Sequence, residues 1–573
     1  MFISLKKHYS FEKERAYKCY KTHLNRILKH AEREHTLTTL NRYKFDMRKT
    51  WDIMKSFISS KRSRKQHTSF EDKGETITDP KTIANKFNNF FINVGPSLAS
   101  KIEQVNVSPT SFLKGTYDNS LYLIPSNEDE ICCIIKGLKD SSPGYDAISA
   151  KTLQVSCDLF LPHLVHIINL SLCNGVFPAV LKKANVIPLY KAGKHSAFTN
   201  YRPVSLLISL SKVFERVFFN RMYNFLKMYN ILYINQFGFR KKHSTSLAML
   251  IFLDKIISAV ENNEYAISIF LDFSKAFDTV DHNILLKKLD FYGIRGTPNE
   301  WLKSYLSNRT QYTTYNNVSS TCQTISCGVP QGSILGPLLF LIYVNDLAYV
   351  SDLLFTLMFA DDTTCIVTGK NLKDISEQIN SELRLIVIWL KSNKLSLNVN
   401  KTNFMVFTPK RKQHDVINLN IENHTINEVN QCKFLGVILD NNLSWKHHIQ
   451  YVKSKISKVT GILYKARCNL NKCHMLSLYN TMVLLYIMYC NIIWSSANKK
   501  SLDPLTKAQK QVIRCICFLK KTTSTKKYFE ELSLFNLEEI AVYNVLLFMY
   551  KYYHNVLPCT FVNFFCVNNE IHS

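Results

Sequence analysis

Three aspartates stand out by type and spacing. Asp272 closes the apolar run in IFLDFSKAFD, and Asp361 and Asp362 interrupt a second apolar stretch in LMFADDTTCIV. Side-chain alternation fixes the direction of a carboxylate at a strand end. Carboxylates so fixed on neighbouring strands can hold hard divalent cations through oxygen. The chemistry this supports is in-line phosphoryl transfer, with two ions roughly 4 Å apart serving the attacking and leaving oxygens. An Asp-Asp pair alone is most often a surface turn. Its place at the expected tip of an apolar hairpin, with an Asp-terminated strand upstream, favours metal binding instead. Asp272 and Asp361 are then the principal ligands and Asp362 a supporting carboxylate, with the backbone carbonyl of Phe273 as a further oxygen.

Neighbouring residues add a substrate-shaped surround. Phe277 follows Asp272 closely enough to fill the space of a sugar 2′-hydroxyl, or else it caps the core beneath the strand. In GVPQGSILGPLLF, Gly328 and Gly332 allow close backbone approach, and the amide of Gln331 can reach a base, a sugar or a template backbone. A plain loop–helix junction is the alternative, and a P-loop is excluded because no GxxxxGK[ST] pattern occurs. Arg202, on an expected strand pair, can grip two phosphate oxygens, with Lys191 as a second candidate and Lys194 nearby. Arg240, Lys241, Lys242 and His243 form a candidate template-backbone patch, unless they are simply solvated. Lys401 can donate a proton to, or neutralise, a leaving pyrophosphate. Asp278, Asp281 and His282 are expected to cap or bond the following turn. The run FLGVILD fits a tight hairpin that holds a primer end, or an ordinary core hairpin. Lysines in YVKSKISKVTGILYKARC fall on an expected helix that could follow a phosphate backbone.

These groups need strands and helices to place them. Strands are expected at 185–190, 265–272, 354–360 and 363–369, and helices at 205–228, 245–262, 281–290 and 333–343. Such mixing indicates an α+β or α/β core. A helix is expected around 84–95, a connector over the Ser-, Pro- and Asn-bearing 106–127, and mostly helix over 443–520. The run 482–494 is strongly apolar but shorter than the roughly 20 residues a membrane span needs, so it reads as a buried helix.

Bulk properties agree with a polyanionic partner. The 573 residues are 46% hydrophobic, which excludes wholesale disorder, and carry a formal net charge of +28. Residues 1–65 hold 18 Lys or Arg against 6 Asp or Glu. KRSRK at 61–65 closes that arm as a nucleic-acid contact, an import signal or a solvated linker. The 16 cysteines show no C-x-x-C pairing and read as reduced thiols. The opening MFISLKKHYS has too short an apolar stretch for a signal peptide.

In order along the chain, SSPGYDAI, NYRPVSLL, SKVFERV, QFGFRKKHST, FLDFSKAFDTVDH, GVPQGSILGPLLF, FADD, LSLNVNKT and FLGVILD resemble the reverse transcriptase of non-LTR, LINE-like retrotransposons, most closely the jockey-like group. The resemblance covers roughly residues 139–445. It implies an α+β right-hand polymerase with fingers, an antiparallel palm sheet with helices, and a helical thumb. The corresponding regions are a basic, mainly helical linker-like segment at 1–110, fingers and palm at 111–442 with core motifs about 170–440, a thumb at 443–523, and an extension of unknown role at 524–573. It further implies RNA-directed DNA synthesis with two Mg²⁺, for which Mn²⁺ can substitute. The implied partners are an RNA template, a DNA primer or nicked target DNA, and dNTPs, with no membrane.

By motif match Asp272, Asp361 and Asp362 would be the catalytic triad and Phe277 the sugar-selecting residue. Gln331 would belong to the substrate pocket, Arg202 to the fingers, and Phe434, Leu435 and Gly436 to the primer grip. Synthesis and ribonucleoprotein assembly in the cytoplasm, and copying in the nucleus, are expected. FADD carries phenylalanine where tyrosine is more familiar. Relatives usually place an endonuclease before the polymerase, whereas this chain begins in what resembles the connector after it. Cys559 and Cys566 do not make a zinc knuckle. The expectation is an element fragment able to polymerise but not to nick its own target. The rivals are an RNA-dependent RNA polymerase, a group II intron maturase, and an inactive or domesticated element protein that only binds RNA.

Overall fold

The computed structural model describes residues 2–7, 9–43, 46–58, 69–72, 74–409 and 415–565. KRSRK at 61–65 and Cys566 lie outside them. The chain forms two compact units, one of residues 65–431 and 555–573, the other of 1–64 and 432–554.

The larger unit is built on two five-stranded sheets. In the first, the strand order is Asn427–Glu428, Asn403–Phe407, Tyr265–Leu271, Asp362–Gly369, Phe355–Phe359. Tyr265–Leu271 runs antiparallel to both of its neighbours. Both faces of this central strand are covered, so it reads as a nearly continuous apolar run rather than an alternating one. Ile267, Ile269 and Leu271 enter the main core with Phe404, Val406, Cys365 and Met358. On the opposite face Phe270 and Phe407 approach Phe252 of the helix Thr245–Glu261. A buried ion pair, Lys288 to Asp346 at 2.6 Å, ties the helix His282–Phe291 to the turn Asn345–Tyr349, and Trp389 Nε1 donates to the same carboxylate.

The second sheet runs Tyr201–Leu206, Lys183–Tyr190, Thr310–Tyr315, Val318–Ser319, with Gln323–Thr324 also paired to Thr310–Tyr315. The helix Pro80–Ala99 packs on it. Its start is set by Asp79, whose side chain accepts from the Thr82 N–H, and by Pro80 in the first turn. Phe70, Ile83, Phe87 and Phe91 meet Val186, Phe198, Tyr201 and Tyr315 in a separate aromatic core.

Most expected elements appear, and the fold class is mixed α+β. Two expectations are corrected. The helix expected from 205 starts at Ser209, because Tyr201–Leu206 is an edge strand that tolerates Pro203. The apolar run 482–494 is not one buried helix. It breaks at Tyr489 (ψ 117°) and left-handed Cys490, and Leu485 is 62% exposed. Among the described residues no helix is long and apolar enough to cross a membrane.

In the smaller unit the helices Lys446–Ala466 and Lys499–Ile516 pack together. Ile449, Val452, Ile456, Val459 and Leu463 recur at helical spacing and are buried, as are Leu505, Val512 and Ile516. Lys458 and Lys465 stay exposed on the outer face of the first helix.

Candidate active site

The three aspartates reach one cleft through strand register. Thr363 pairs with Leu271, so Asp362 begins its strand beside the end of the Asp272 strand. The hairpin Phe355–Phe359/Asp362–Gly369 turns through Ala360 (φ 58°) and Asp361. That left-handed alanine is held from outside: Gln236 Oε1 accepts the backbone N–H groups of both Ala360 and Gly238, each at 2.9 Å. A Cβ on Gly238 would come within 2.3 Å of the Ala360 nitrogen. Asp272 is fixed differently. Its carbonyl accepts the Asn398 N–H at 2.8 Å, and the Ser274 N–H donates to Ser396 O, so the segment LSLNVNKT is stitched along it.

The cleft, of about 1140 Å³, is lined by Asp272, Phe273, Phe277, Asp361, Asp362, Lys191, Arg202, Gln331 and Lys401. Lys401 Nζ lies 3.6 Å from Asp272 Oδ2. Burial raises the Asp361 carboxyl pKa, and the charge of Asp272 adds to it. Burial, then Asp361 and then Asp272, push Asp362 up to about 6. Lys191 is lowered by burial and by the charges of Arg202 and Lys401. Carboxylates disfavoured as anions by burial and by each other gain from a cation, and cations crowded together gain from an anion. The cleft is therefore chemically suited to a polyanion bound together with hard metal ions.

Its far walls hold the other expected residues. The Phe277 ring stacks on Phe340 at 4.4 Å and also faces the cleft, so core packing and wall formation are one arrangement. The Gln331 carbonyl accepts the Ser205 N–H at 2.8 Å, while its amide donates to Asp278 Oδ1 at 2.7 Å. Gly332 (φ 138°) is required here, since a Cβ would stand 2.4 Å from Ser205 O. Asp281 caps the helix His282–Phe291 as expected, and His282 Nε2 bonds Gly328 O.

Several contributors escaped the sequence reading. Asp278, expected to serve the turn, lines the cleft instead, with Oδ2 buried and unpartnered. Burial lifts its pKa to about 6 against the opposing pull of Gln331, Lys275 and Arg202. Lys275, left-handed at φ 51°, donates to the Tyr201 carbonyl and lies over Phe90. Phe90, Asn93 and Ser97 bring the helix Pro80–Ala99 into the same wall. Only the position of Lys275 and Asp278 within FSKAFD could have signalled them. Arg240 spends its guanidinium on the carbonyls of Tyr233 and Gln236.

Phe434, Leu435 and Gly436 lie in the smaller unit. Leu435 (φ 44°) and Gly436 (φ 85°) make a two-residue turn between Gln431–Phe434 and Val437–Asp440. Tyr489 Oη donates to Leu435 O at 2.6 Å.

Among the described residues one set of three metal-ligating atoms lies mutually within 4.8 Å: Cys132, Cys157 and Asp158. This set could coordinate a metal ion, although its two thiols favour a soft one. Asp272, Asp361 and Asp362 share the cleft without forming such a set.

A sheet tipped with carboxylates and facing a cation-lined cleft, within a mixed α+β unit, is consistent with a polymerase-like domain. Residues 189–439 match the family described as reverse transcriptase (RNA-dependent DNA polymerase). The chain carries a reverse transcriptase domain of the non-LTR, jockey/R1/R2-like retrotransposon family. It is 30% identical over 418 residues to the probable RNA-directed DNA polymerase from transposon BS of Drosophila melanogaster, covering 69% of this chain and 45% of that protein. It is 28% identical to that from the Drosophila melanogaster X-element, over 68% of this chain and 44% of the relative. Identity to the RNA-directed DNA polymerase from the mobile element jockey of the same organism is also 28%, over 73% and 48%. The chain thus spans about half the length of the curated relatives it matches. Homology supports nucleotidyltransferase activity and nucleic-acid substrates at the level of the family.

Proposed function

We propose that the chain is an RNA-directed DNA polymerase that extends a primer 3′-hydroxyl with dNTPs on an RNA template for retrotransposon cDNA synthesis. A DNA strand or a nicked target supplies the primer, and the nucleus is the expected place of copying. In this reading the first sheet is the palm, the second sheet belongs to the fingers, and the helices of the smaller unit are the thumb. The observation that carries the proposal is the hydrogen-bonded register that sets the Asp361–Asp362 hairpin beside Asp272, opposite Lys191, Arg202 and Lys401.

Asp272, Asp361, Asp362 and the Phe273 carbonyl offer hard oxygens that fit Mg²⁺ or Mn²⁺. Two such ions, when bound, supply Lewis acidity for the attacking hydroxyl and charge compensation for the leaving pyrophosphate. The chain's own groups do the rest. Arg202 and Lys191 bind phosphate oxygens, and Lys401 neutralises the leaving group while it orients Asp272. The Phe277 ring occupies the space of a 2′-hydroxyl. Gln331 and Gly332 support the nascent base pair, and Phe434, Leu435 and Gly436 hold the primer.

The test is primer extension on an RNA template annealed to a DNA primer, with Mg²⁺ or Mn²⁺, using dNTPs or NTPs. Wild type extends with dNTPs. Asp361→Ala loses several kcal/mol of transition-state stabilisation, on the order of 10³-fold in rate. Equal extension by both proteins rejects the site, and preference for NTPs rejects the role of Phe277. Inactivity of both leaves an RNA-binding relic.

A further inference from the structure

Away from the catalytic cleft, the donors of Cys132, Cys157 and Asp158 meet where two helices are already held together by other means. The helix Glu128–Lys136 starts at Asn127, whose side chain accepts the Glu130 N–H, and it buries Ile131 and Ile135 in the main core. The helix Cys157–Asn174 sends Leu161, Leu164 and Ile168 into the same core. Ser126 N–H donates to Asn169 Oδ1 at 2.7 Å, and Asn169 Nδ2 donates back to Ser126 O at 2.9 Å. That pair ties the start of the first helix to the late turns of the second. Past the end of the first helix, Gln154 Nε2 donates to the carbonyls of Ile135, Lys136 and Leu138. The two sulfurs therefore sit on fixed backbone, and little conformational freedom is left to lose when a ligand binds them.

The three donor atoms lie mutually within 4.8 Å. Tetrahedral zinc, with bonds of about 2.3 Å to sulfur and roughly 2.0–2.2 Å to oxygen, spaces its ligand atoms by roughly 3.6–3.8 Å. Side-chain adjustments alone can close that difference. Cys157 is 1% exposed, Cys132 is half-buried and Asp158 is exposed, so two sulfurs form the floor and a movable carboxylate the mouth. Burial, and then Cys132, raise the Cys157 thiol pKa, a cost to its anion that a bound cation relieves. Lys136, one turn along from Cys132, bonds that thiol, and the bond together with the charges of Cys132 and Asp158 raises its own pKa. A divalent ion held by two thiolates and a carboxylate keeps a single net negative charge, which this ammonium balances.

We propose that Cys132, Cys157 and Asp158 form a zinc site, completed by water, that joins the two helices. Two S–Zn bonds and one O–Zn bond form while the two thiol protons pass to solvent. The thiols select against Mg²⁺, and the hard carboxylate oxygen selects Zn²⁺ over Cu(I). The site is independent of the polymerase reading, since none of its residues lines the cleft. The segment it closes contains SSPGYDAI, where a Cβ on Gly144 would lie 2.7 Å from the Ile208 nitrogen. Its role is structural: an ion bound by the folded chain alone adds its binding free energy to folding.

The test uses the full chain, reduced, stripped of metal and kept in excess Mg²⁺ so that oxygen-only sites are filled. Titration with Zn²⁺ against a chromogenic indicator should show a tight equivalent in wild type that Cys132→Ala lacks. Co²⁺ taken up by wild type should give the visible bands of a tetrahedral ion and a thiolate charge-transfer band in the near ultraviolet, both missing from Cys132→Ala. The exposed Asp158→Asn keeps both sulfurs and should weaken zinc binding by at least about 10-fold, the least that losing even a partner of a ligand costs. Cys133→Ala removes the adjacent exposed thiol outside the set and should bind as wild type does. Thermal melting with and without Zn²⁺ accompanies each titration: wild type and Cys133→Ala should gain melting temperature, and Cys132→Ala should not. Absence of tight zinc in wild type, equal uptake by a folded Cys132→Ala, or unchanged affinity in Asp158→Asn overturns the site. So does cobalt bound without the thiolate band, or a loss in Cys133→Ala equal to that in Cys132→Ala.

Discussion

At the scale of single residues, Asp278 is the carboxylate whose environment most exceeds its obvious duties. One oxygen accepts the Gln331 amide and the other is buried without a partner. A carboxyl raised from 3.8 to about 6 on folding binds its proton more tightly in the native state. Its stabilising contribution is complete below about pH 4 and is lost as pH climbs through 6. Asp278→Asn keeps an acceptor for Gln331 and cannot ionise. It should therefore raise the melting temperature over wild type at pH 8 and give no gain at pH 4. An identical offset at both values would refute the burial cost. Asp272, Phe277 and Gln331 were legible because each falls inside a dense local motif. The Asp278–Gln331 bond was not, since it depends on a loop brought back from far along the chain.

At the scale of elements, the loop before the helix Leu335–Tyr343 carries a tight steric condition at the wall of the cleft. Val329 N–H donates to Phe277 O, and Ser205 N–H to Gln331 O, so the loop is sewn to both sheets' neighbourhoods. Gly332→Ala sets a methyl against Ser205 O at a φ unfavourable to L residues, a strain of about 1–3 kcal/mol. The loop must shift, and a displacement near 1 Å can cost up to about 10²-fold in rate. Steady-state kinetics should show a fall in kcat/KM for dNTPs much larger than the loss of melting temperature implies. Unchanged kinetics would mean the loop does not touch substrate. Strand periodicity exposed the sheet that bears the aspartates. It missed Thr310–Tyr315, where TQYTTY is polar enough to pass for a loop, and the helix boundary at Ser209, where a proline-bearing edge strand intervenes.

At the scale of the whole molecule, +28 sets the response to salt. If the proposed substrate contacts involve 6–10 phosphates, affinity for an RNA–DNA hybrid should fall by roughly 10³–10⁵ between 50 and 200 mM salt. Anisotropy titrations across that range check this, and a flat response would remove the polyanion from the argument. Composition foretold such a partner without locating it. The helix Pro80–Ala99 shows why location is harder: its Ile83, Phe87 and Phe91 stripe is visible in sequence, but the surface it covers is not.

The clamp on Ala360 has a consequence for how such elements age. Gln236 is 2% exposed and is not among the residues lining the cleft, yet its one side-chain oxygen accepts the N–H of Ala360, in the turn before Asp361, together with that of Gly238. Gln236→Leu spares every aspartate and every letter of FADD, and should abolish extension in the same assay that scores Asp361→Ala. Genomic copies drifting without selection can therefore fall silent while all three aspartates and FADD still read as intact. A census of living copies that counts aspartates will overcount, and one that also reads the glutamine before FGF will come closer.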